Sequence, residues 1–425
     1  MKWLPLLCVA GPFGLVLVHS SAGCVSHSCE DLATCETPGT GGSGTGTNTG
    51  GSGANGGGGV GGSGTGTATG TGSGTGTGTP FMQEPTLGLG SFHSCVTTET
   101  GGAKCWGNNE DGQLGNDSTT SSTTPIDVVA LQAPIVSVAG GKYFSCFLLA
   151  DGTVWCSGRN DEGQLGNGGS GMETAPTQVV GIDDAAAIHA VETRACVVRQ
   201  NQTAKCWGGG GELLGDMTTT DFSTTPVDVQ QTGIAQFALG LGHTCAMLTN
   251  GSIECWGANG VGQLGLGHTM AGPYNYPQTV LSINNAVSIA AATSETCVVR
   301  AGTGQVWCWG KIYGDEPQVL AGITGAEEVV GAGVGFCARL AGGSVKCFGL
   351  EGNGQLGDGP AMVGSYLSPV DVLGLTDSID LEMGGGTVCS TTSAESVFCW
   401  GRNDYGQVGN GTMTNTDQPV QVQGL

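Results

Sequence analysis

The sequence predicts an all-β protein: a seven-bladed β-propeller of four-stranded blades, preceded by a signal peptide and a disordered Gly/Ser/Thr linker. Three observations carry that expectation. Two cysteines ten or eleven residues apart recur seven times, from Cys95 and Cys105 to Cys389 and Cys399, with periods that average 49 residues. A fixed period of this length marks a repeat architecture. Most copies are followed by a Gly-Gln-Leu-Gly cassette and then by Thr-Pro-(Val/Ile)-x-Val, as at Thr124 to Val128 and Thr225 to Val229. Each unit therefore offers four short β segments divided by Gly-rich turns, which suits a radially repeated blade.

Residues 1–23 read as a leader. Met1-Lys2 precedes an apolar run, Trp3 to Val18, broken by Pro5, Gly11, Pro12 and Gly14. Those breaks suit a secretory signal better than a permanent span. Two processing readings stand side by side. Ser20-Ser21-Ala22 fits a small-x-small cleavage site, whereas Ser21-Ala22-Gly23-Cys24 resembles the bacterial lipobox, with Ser21 where leucine is usual. With Cys24 lipidated, Cys29, Cys35 and the seven pairs leave sixteen cysteines, an even number. The lipid-anchored form is the expectation, on a bacterial outer membrane or cell surface, and a freely secreted protein is its alternative.

Residues 24–36 form a short cysteine-containing segment, and 37–80 are almost pure Gly, Ser and Thr. Such a stretch has nothing to bury and is expected to remain a flexible coil spanning on the order of 35–40 Å. The propeller should occupy 81–425. Only 11% of the chain is charged, with 12 Lys and Arg against 35 Asp and Glu, for a net charge of −23. Nucleic-acid binding needs clustered basic residues, and none is present. Eighteen cysteines in an exported chain read as disulfides.

The fourth copy shows why the pairs should be bridged. Cys245 to Leu248 and Ser252 to Cys255 flank Thr249-Asn250-Gly251, a hairpin loop with glycine at the left-handed position. If Leu248 faces Ser252, Cys245 falls opposite Cys255. The fifth copy spaces Cys297 and Cys308 by eleven residues, and its loop is one residue longer. Spacing and loop length thus change together. The same cross-strand disulfide is expected for Cys95 with Cys105, Cys146 with Cys156, Cys196 with Cys206, Cys337 with Cys347 and Cys389 with Cys399. Zinc is disfavoured because C-x-x-C clustering is absent, and Cys29 and Cys35 are assigned to a further bridge.

Ring closure can also be read. The first unit starts abruptly at Pro85 to Gly90, and the chain stops with Pro419-Val420-Gln421-Val422 and three further residues. The last strand is expected to dock beside the first, leaving no sheet edge open.

Gly-x-x-His-(Ser/Thr)-Cys, Cys-Trp-Gly-x-Asn-x-x-Gly-Gln-Leu-Gly and Thr-Pro-x-x-Val together resemble the repeats of the regulator-of-chromosome-condensation family, over residues 86–425. The resemblance implies a seven-bladed propeller with about fifty residues per blade; a kelch propeller is the alternative fold. Guanine-nucleotide exchange on a small nuclear GTPase would be the function implied by the family's name. The leader, the acidic balance and the lack of a long blade insertion argue against it, and no exchange residue maps onto this chain.

The polar clusters before Gly-Gln-Leu-Gly lack the alternating acids of a calcium loop and read as turns. No nucleophile elbow, phosphate loop or zinc signature is present, so neither a metal nor a cofactor is expected. Two surfaces are candidates for binding. One is the turn before each first cysteine, where copies differ most: Lys142, Tyr143, Glu192, Arg194, His243 and Glu295. The other is the fifth unit, about ten residues short, where Lys311 to Pro317, including Tyr313, replaces the cassette and opens an expected notch. The function expected is recognition of a protein or glycan by a monomeric, disulfide-stapled propeller, for example as an inhibitor of secreted enzymes. The alternatives are a hydrolase or lyase with a channel-mouth site, which convergent carboxyls with raised pKa would favour, and an exchange factor.

Overall fold

The computed structural model describes residues 85–333, 335–359 and 364–425, with side chains withheld at 351 and 364–366. The expected leader, the linker, Cys24, Cys29 and Cys35 lie outside the described residues. Seven four-stranded antiparallel sheets follow one another along the chain. Blade 1 comprises β1 (Leu87–Leu89), β2 (His93–Thr97), β3 (Ala103–Gly107) and β4 (Ser122–Asp127). Blades 2 to 7 repeat this order over 135–178, 185–228, 234–279, 286–319, 326–371 and 378–421. The first strand of each blade lines a central channel and the fourth forms the outer rim.

Alternation of antiparallel strands gives the ring two distinct faces. The turns after the first and third strands lie on one, here called the upper face. The hairpins after the second strands and the links between blades lie on the other. Pro85 and Leu425 both fall on the lower face.

In blade 4, the Leu248 N–H donates to Ser252 O at 2.9 Å, and Gly251 at the tip has a φ of 78°. That conformation favours glycine. Cys245 consequently pairs with Cys255 across the two strands, and the two are bridged. The same register holds in the other blades. Cys95 is bridged to Cys105, Cys146 to Cys156 and Cys196 to Cys206. Cys297 is bridged to Cys308, Cys337 to Cys347 and Cys389 to Cys399. The Cα atoms of all seven pairs lie 4.0–4.1 Å apart, as directly opposed residues of neighbouring strands should. Each of these half-cystines is inaccessible to solvent, because the disulfides sit in the seams between blades.

The cassette ties each blade to the next. Asn109 accepts the Leu114 N–H at 2.9 Å and donates to Ser118 O and Thr120 O, clamping its own loop. Leu114 is thereby driven into the seam with blade 2. Asn160, Asn259 and Asn403 hold Leu165, Leu264 and Val408 in the same way. The tryptophan of each Cys-Trp-Gly then donates its indole N–H to a cassette carbonyl of the preceding blade. Trp207 bonds Gln164 O, Trp256 bonds Leu213 O, Trp309 bonds Gln263 O and Trp400 bonds Gln355 O, at 2.9–3.0 Å. A buried indole N–H needs such a partner.

Blade 5 departs from this pattern. Its third and fourth strands are joined by a tight turn, Lys311 to Tyr313, so no cassette reaches blade 6. Blade 6 carries Phe348 in place of tryptophan, stacked on Phe336 with centroids 5.5 Å apart. Donor and acceptor are absent together. The Tyr313 ring packs against this seam, and Phe348 and Phe336 are both fully covered. These rings fill the seam where the leucine would have entered, while blade 5 keeps only the short turn in place of the loop.

Closure also differs from the expectation. The final strand, Thr416–Gln421, pairs with Val397–Gly401 of its own blade and not with β1. Every blade keeps all four of its strands, and the ring closes by side-chain packing: Val408, Val420 and Val422 meet Leu87, Leu89 and Trp106. The outer edges therefore stay open. Each outer strand instead contains proline: Pro125, Pro176, Pro226, Pro273 with Pro277, Pro317, Pro369 and Pro419. Proline cannot donate to a new strand, so this repeat position blunts seven exposed edges.

Candidate recognition site on the upper face

The turns on the upper face bring aromatic and cationic side chains from blades 7, 1 and 2 together. Phe92 stacks on Tyr143 with centroids 5.3 Å apart and meets Tyr405 edge-on at 5.2 Å. The Arg159 guanidinium lies over the Tyr143 ring at 4.1 Å, and Arg402 lies over Phe92 at 5.0 Å. Lys142 Nζ is 5.6 Å from the Tyr143 centroid. The result is a ladder, Arg402–Phe92–Tyr143–Arg159, with Tyr405 against its side.

Each cation is pinned. Arg159 makes a bidentate pair with Asp111, both bonds at 3.0 Å, which holds its pKa above the ordinary guanidinium value. Arg402 reaches Asp404 at 2.7 Å and Lys142 reaches Glu192 at 3.5 Å. The Lys142 N–H also donates to Glu192 O at 2.8 Å, joining the turns of blades 2 and 3. All three rings are half-buried. Such a cluster is rigid before any partner arrives, and Tyr and Arg anchors of this kind dominate binding energy at protein interfaces.

Lys142, Tyr143 and Glu192 thus meet at one site, while the other candidate turn residues do not join them. Arg194 is buried under the blade 4 turn, donating to Gly240 O and, at 3.0 Å, to His243 O. Burial lowers its pKa to about 10, against the opposing pull of the Glu192 charge. His243 is inaccessible, with Nε2 2.8 Å from Thr296 Oγ1, and burial lowers its pKa to about 3. His93 meets Ser145 Oγ at 2.7 Å and falls to about 4 for the same reason. Gly90 and Gly240 lie so close to these rings that a Cβ there would collide with them. Glu295 is buried and pushed up by desolvation. Arg194, His243 and His93 are straps between blades, and Glu295 accepts the neighbouring Ser294 N–H within blade 5.

The reason is parity. Residues two before a half-cystine share its side of the strand and enter the seam, whereas Phe92 and Tyr143, three before, stay in the turn. Lys311 is exposed, and Tyr313 is pushed up to about 12 by burial and the nearby Glu295 charge. Phe92, Arg159, Asp111, Arg402 and Tyr405 escaped the sequence reading. Charge and aromatic character at the turn and after each Cys-x-Gly would have flagged them.

The channel is the second concave place, a cavity of about 390 Å³ whose lining includes no Lys or Arg. Glu328 and Asp380, at matching positions of blades 6 and 7, join Glu382 there. Asp380 accepts the Leu87 N–H at 3.1 Å and Glu328 accepts Arg339 Nε at 3.0 Å. Desolvation raises Glu328 to about 7 and Asp380 to about 6, and drives Glu382 well above the carboxylate range.

Models of the regulator of chromosome condensation (RCC1) repeat match residues 87–113, 135–164 and 234–263, and again 104–148, 151–193, 250–299 and 395–425. The chain carries RCC1 repeats. Neither model reaches 300–394, which contains the last two strands of blade 5, with their short turn, and Phe348. The ultraviolet-B receptor UVR8 of Arabidopsis thaliana is 28% identical over 323 residues, covering 70% of this chain and 72% of the receptor. The human E3 ubiquitin-protein ligase HERC2 is 26% identical over 343 residues, 75% of this chain but only 7% of that protein.

Two solved structures share the fold. Yeast RCC1 (Prp20) bound to Kap60 has a TM-score of 0.66 and 17% identity, over 81% of this chain and 85% of that one. Human WBSCR16 has a TM-score of 0.66 and 20% identity, over 76% and 93%. RCC1-type propellers of this kind point to a binding or regulatory role.

Proposed function

We propose that this RCC1-repeat propeller is an exported recognition module that binds a protein through its upper face, tethered from its lower face. The observation that carries this reading is the pre-organised ladder from Arg402 to Arg159. It is built on rigid turns, opposite the face where Pro85 begins the first blade. Pro85 follows the Gly/Ser/Thr segment in the sequence, so an anchor at Cys24 would tether the propeller through its N-terminal end. A protein partner fits better than a glycan. Sugars stack on open ring faces, and here Phe92, Arg159 and Arg402 already cover those of Tyr143 and Phe92. What remains exposed is a mosaic of ring edges, guanidinium and carboxylate, which suits an interface centre.

Photo-crosslinking on the producing cells tests this reading. A crosslinker at position 405 on the upper face should trap a protein that one at position 99 on the lower face does not. Adducts from 99 alone would overturn the assignment. Intact mass of the membrane fraction, with a chain beginning at lipidated Cys24, tests the anchor.

A second reading has its own observation. Glu328, titrating near 7, could exchange protons in the channel at neutral pH, as a hydrolase or lyase would require. Turnover on a panel of glycosides and esters, abolished by Glu328→Gln, would support it. No turnover by the native protein would sink it.

A further inference from the structure

The ladder is internally neutral, whereas its surroundings are not. Arg159, Lys142 and Arg402 are matched one for one by Asp111, Glu192 and Asp404. Around them stand Glu110 and Asp161, both exposed, and the half-buried Glu162, all on the cassettes of blades 1 and 2. None of these three makes an ion pair among the described residues. Asp161 is near enough to Arg159 to strengthen its charge, so it borders the ladder directly.

Glu192, the partner of Lys142, also lines the channel. The bases elsewhere do not offset Glu110, Asp161 and Glu162. Lys104, Lys205 and Lys346 are paired with Asp127, Asp228 and Asp371 between third and fourth strands. Cations outside the patch are thus largely committed, within a chain of net charge −23.

Resting on the reading of the ladder as a protein-binding centre, we infer that its partner is a basic protein surface: an apolar or aromatic knob flanked by Lys or Arg. The knob packs on the edges of Phe92, Tyr143 and Tyr405, and the flanking bases face Glu110, Asp161 and Glu162. Burying a neutral, pre-paired centre avoids stranding a charge, while an outer ring of one sign fixes register and speeds encounter. An acidic partner would meet only repulsion, because every ladder cation already has its carboxylate.

The test is a selection from a phage-displayed random dodecapeptide library, with the oxidised full chain held by its N-terminal segment so that the upper face is free. Enriched peptides should combine an aromatic residue with Lys or Arg. Synthesised, they should lose about tenfold in affinity on the triple variant Glu110→Gln, Asp161→Asn, Glu162→Gln. They should weaken steeply between 50 and 200 mM salt and bind Glu99→Gln, a lower-face control, as well as the native protein.

Tyr143→Ala should abolish binding, with Phe92→Leu as a milder variant should the first be unstable. Peptides lost on Tyr143→Ala but indifferent to the triple variant, or rich in Asp and Glu, would overturn the basic partner and leave upper-face recognition standing. Peptides indifferent to both ladder substitutions would overturn the recognition site itself. A selection that enriches nothing counts against both.

Discussion

The indole N–H of Trp106 donates to the carbonyl oxygen of Gln407 at 2.8 Å, across the seam where the first and seventh blades meet. The cassettes of blades 2, 3, 4 and 6 make the same bond to the next blade's tryptophan, so ring closure reuses a device found inside the ring. Ser94 Oγ donates to the same carbonyl at 2.8 Å.

This linkage predicts opposite consequences at two matching positions. Trp400→Phe removes the bond to Gln355 O and should cost about 1–2 kcal/mol, the usual worth of a buried hydrogen bond with a small loss of packing. Phe348→Trp brings in an N–H where no cassette supplies an acceptor, and should destabilise by about 1–3 kcal/mol through overpacking and an unmet donor. Chemical denaturation of both variants measures this. A neutral Phe348→Trp would show that the blade 5–6 seam can offer a carbonyl after all.

The seven disulfides each close a loop of about ten residues, worth about 2–3 kcal/mol by the chain-entropy account. All lie in solvent-free seams, so reductant should act only as blades open. The expected result is a sharp fall in melting temperature after reduction under mildly denaturing conditions, with little change after the same reductant acts on the native protein. An equal melt for the fully reduced chain would exclude stapling.

Stability should pass through a maximum in mildly acidic solution. His93 and His243 are neutral in the fold, at about 4 and 3 against an ordinary 6.5, so the unfolded chain takes up protons first and stability drops as pH falls below about 6.5. Glu328 and Asp380 move the other way, to about 7 and 6. Their contribution is complete below the ordinary carboxylate range and is lost as pH rises through 6–7. Melting curves from pH 3 to 9 should show both limbs. Glu328→Gln should flatten the upper one, and an unchanged profile would refute the assignment.

Pro226→Val should expose a complete edge on the fourth strand of blade 3. Light scattering should then detect concentration-dependent association that the native chain lacks. A variant that stays dispersed at millimolar concentration would mean that proline is not what guards the rim.

The hairpin, the blade and the blade count were legible because they depend on local chain geometry: loop length sets register, and register sets the Cys245–Cys255 pairing. Closure was not, because β1 and the strand at Thr416 are compatible with either a shared or a self-contained sheet, and only packing chooses. Lys142 and Tyr143 were found through turn variability. Arg194, His243 and Glu295 share that variability, yet strand parity turns them into the fold. The channel acids had no signal at all, since Glu328 and Asp380 sit 52 positions apart and meet only through the stacking of two blades.

Since no blade borrows a strand from another, the starting point of the chain is arbitrary with respect to the ring. Opening the backbone at any link between blades on the lower face, and joining Leu425 to Pro85 there, would circularly permute the protein while leaving seven intact sheets and the same seven seams. Blade order is then a matter of which surface patch neighbours which. Recombination at those links can exchange single blades, reshaping the upper face without rebuilding what supports it.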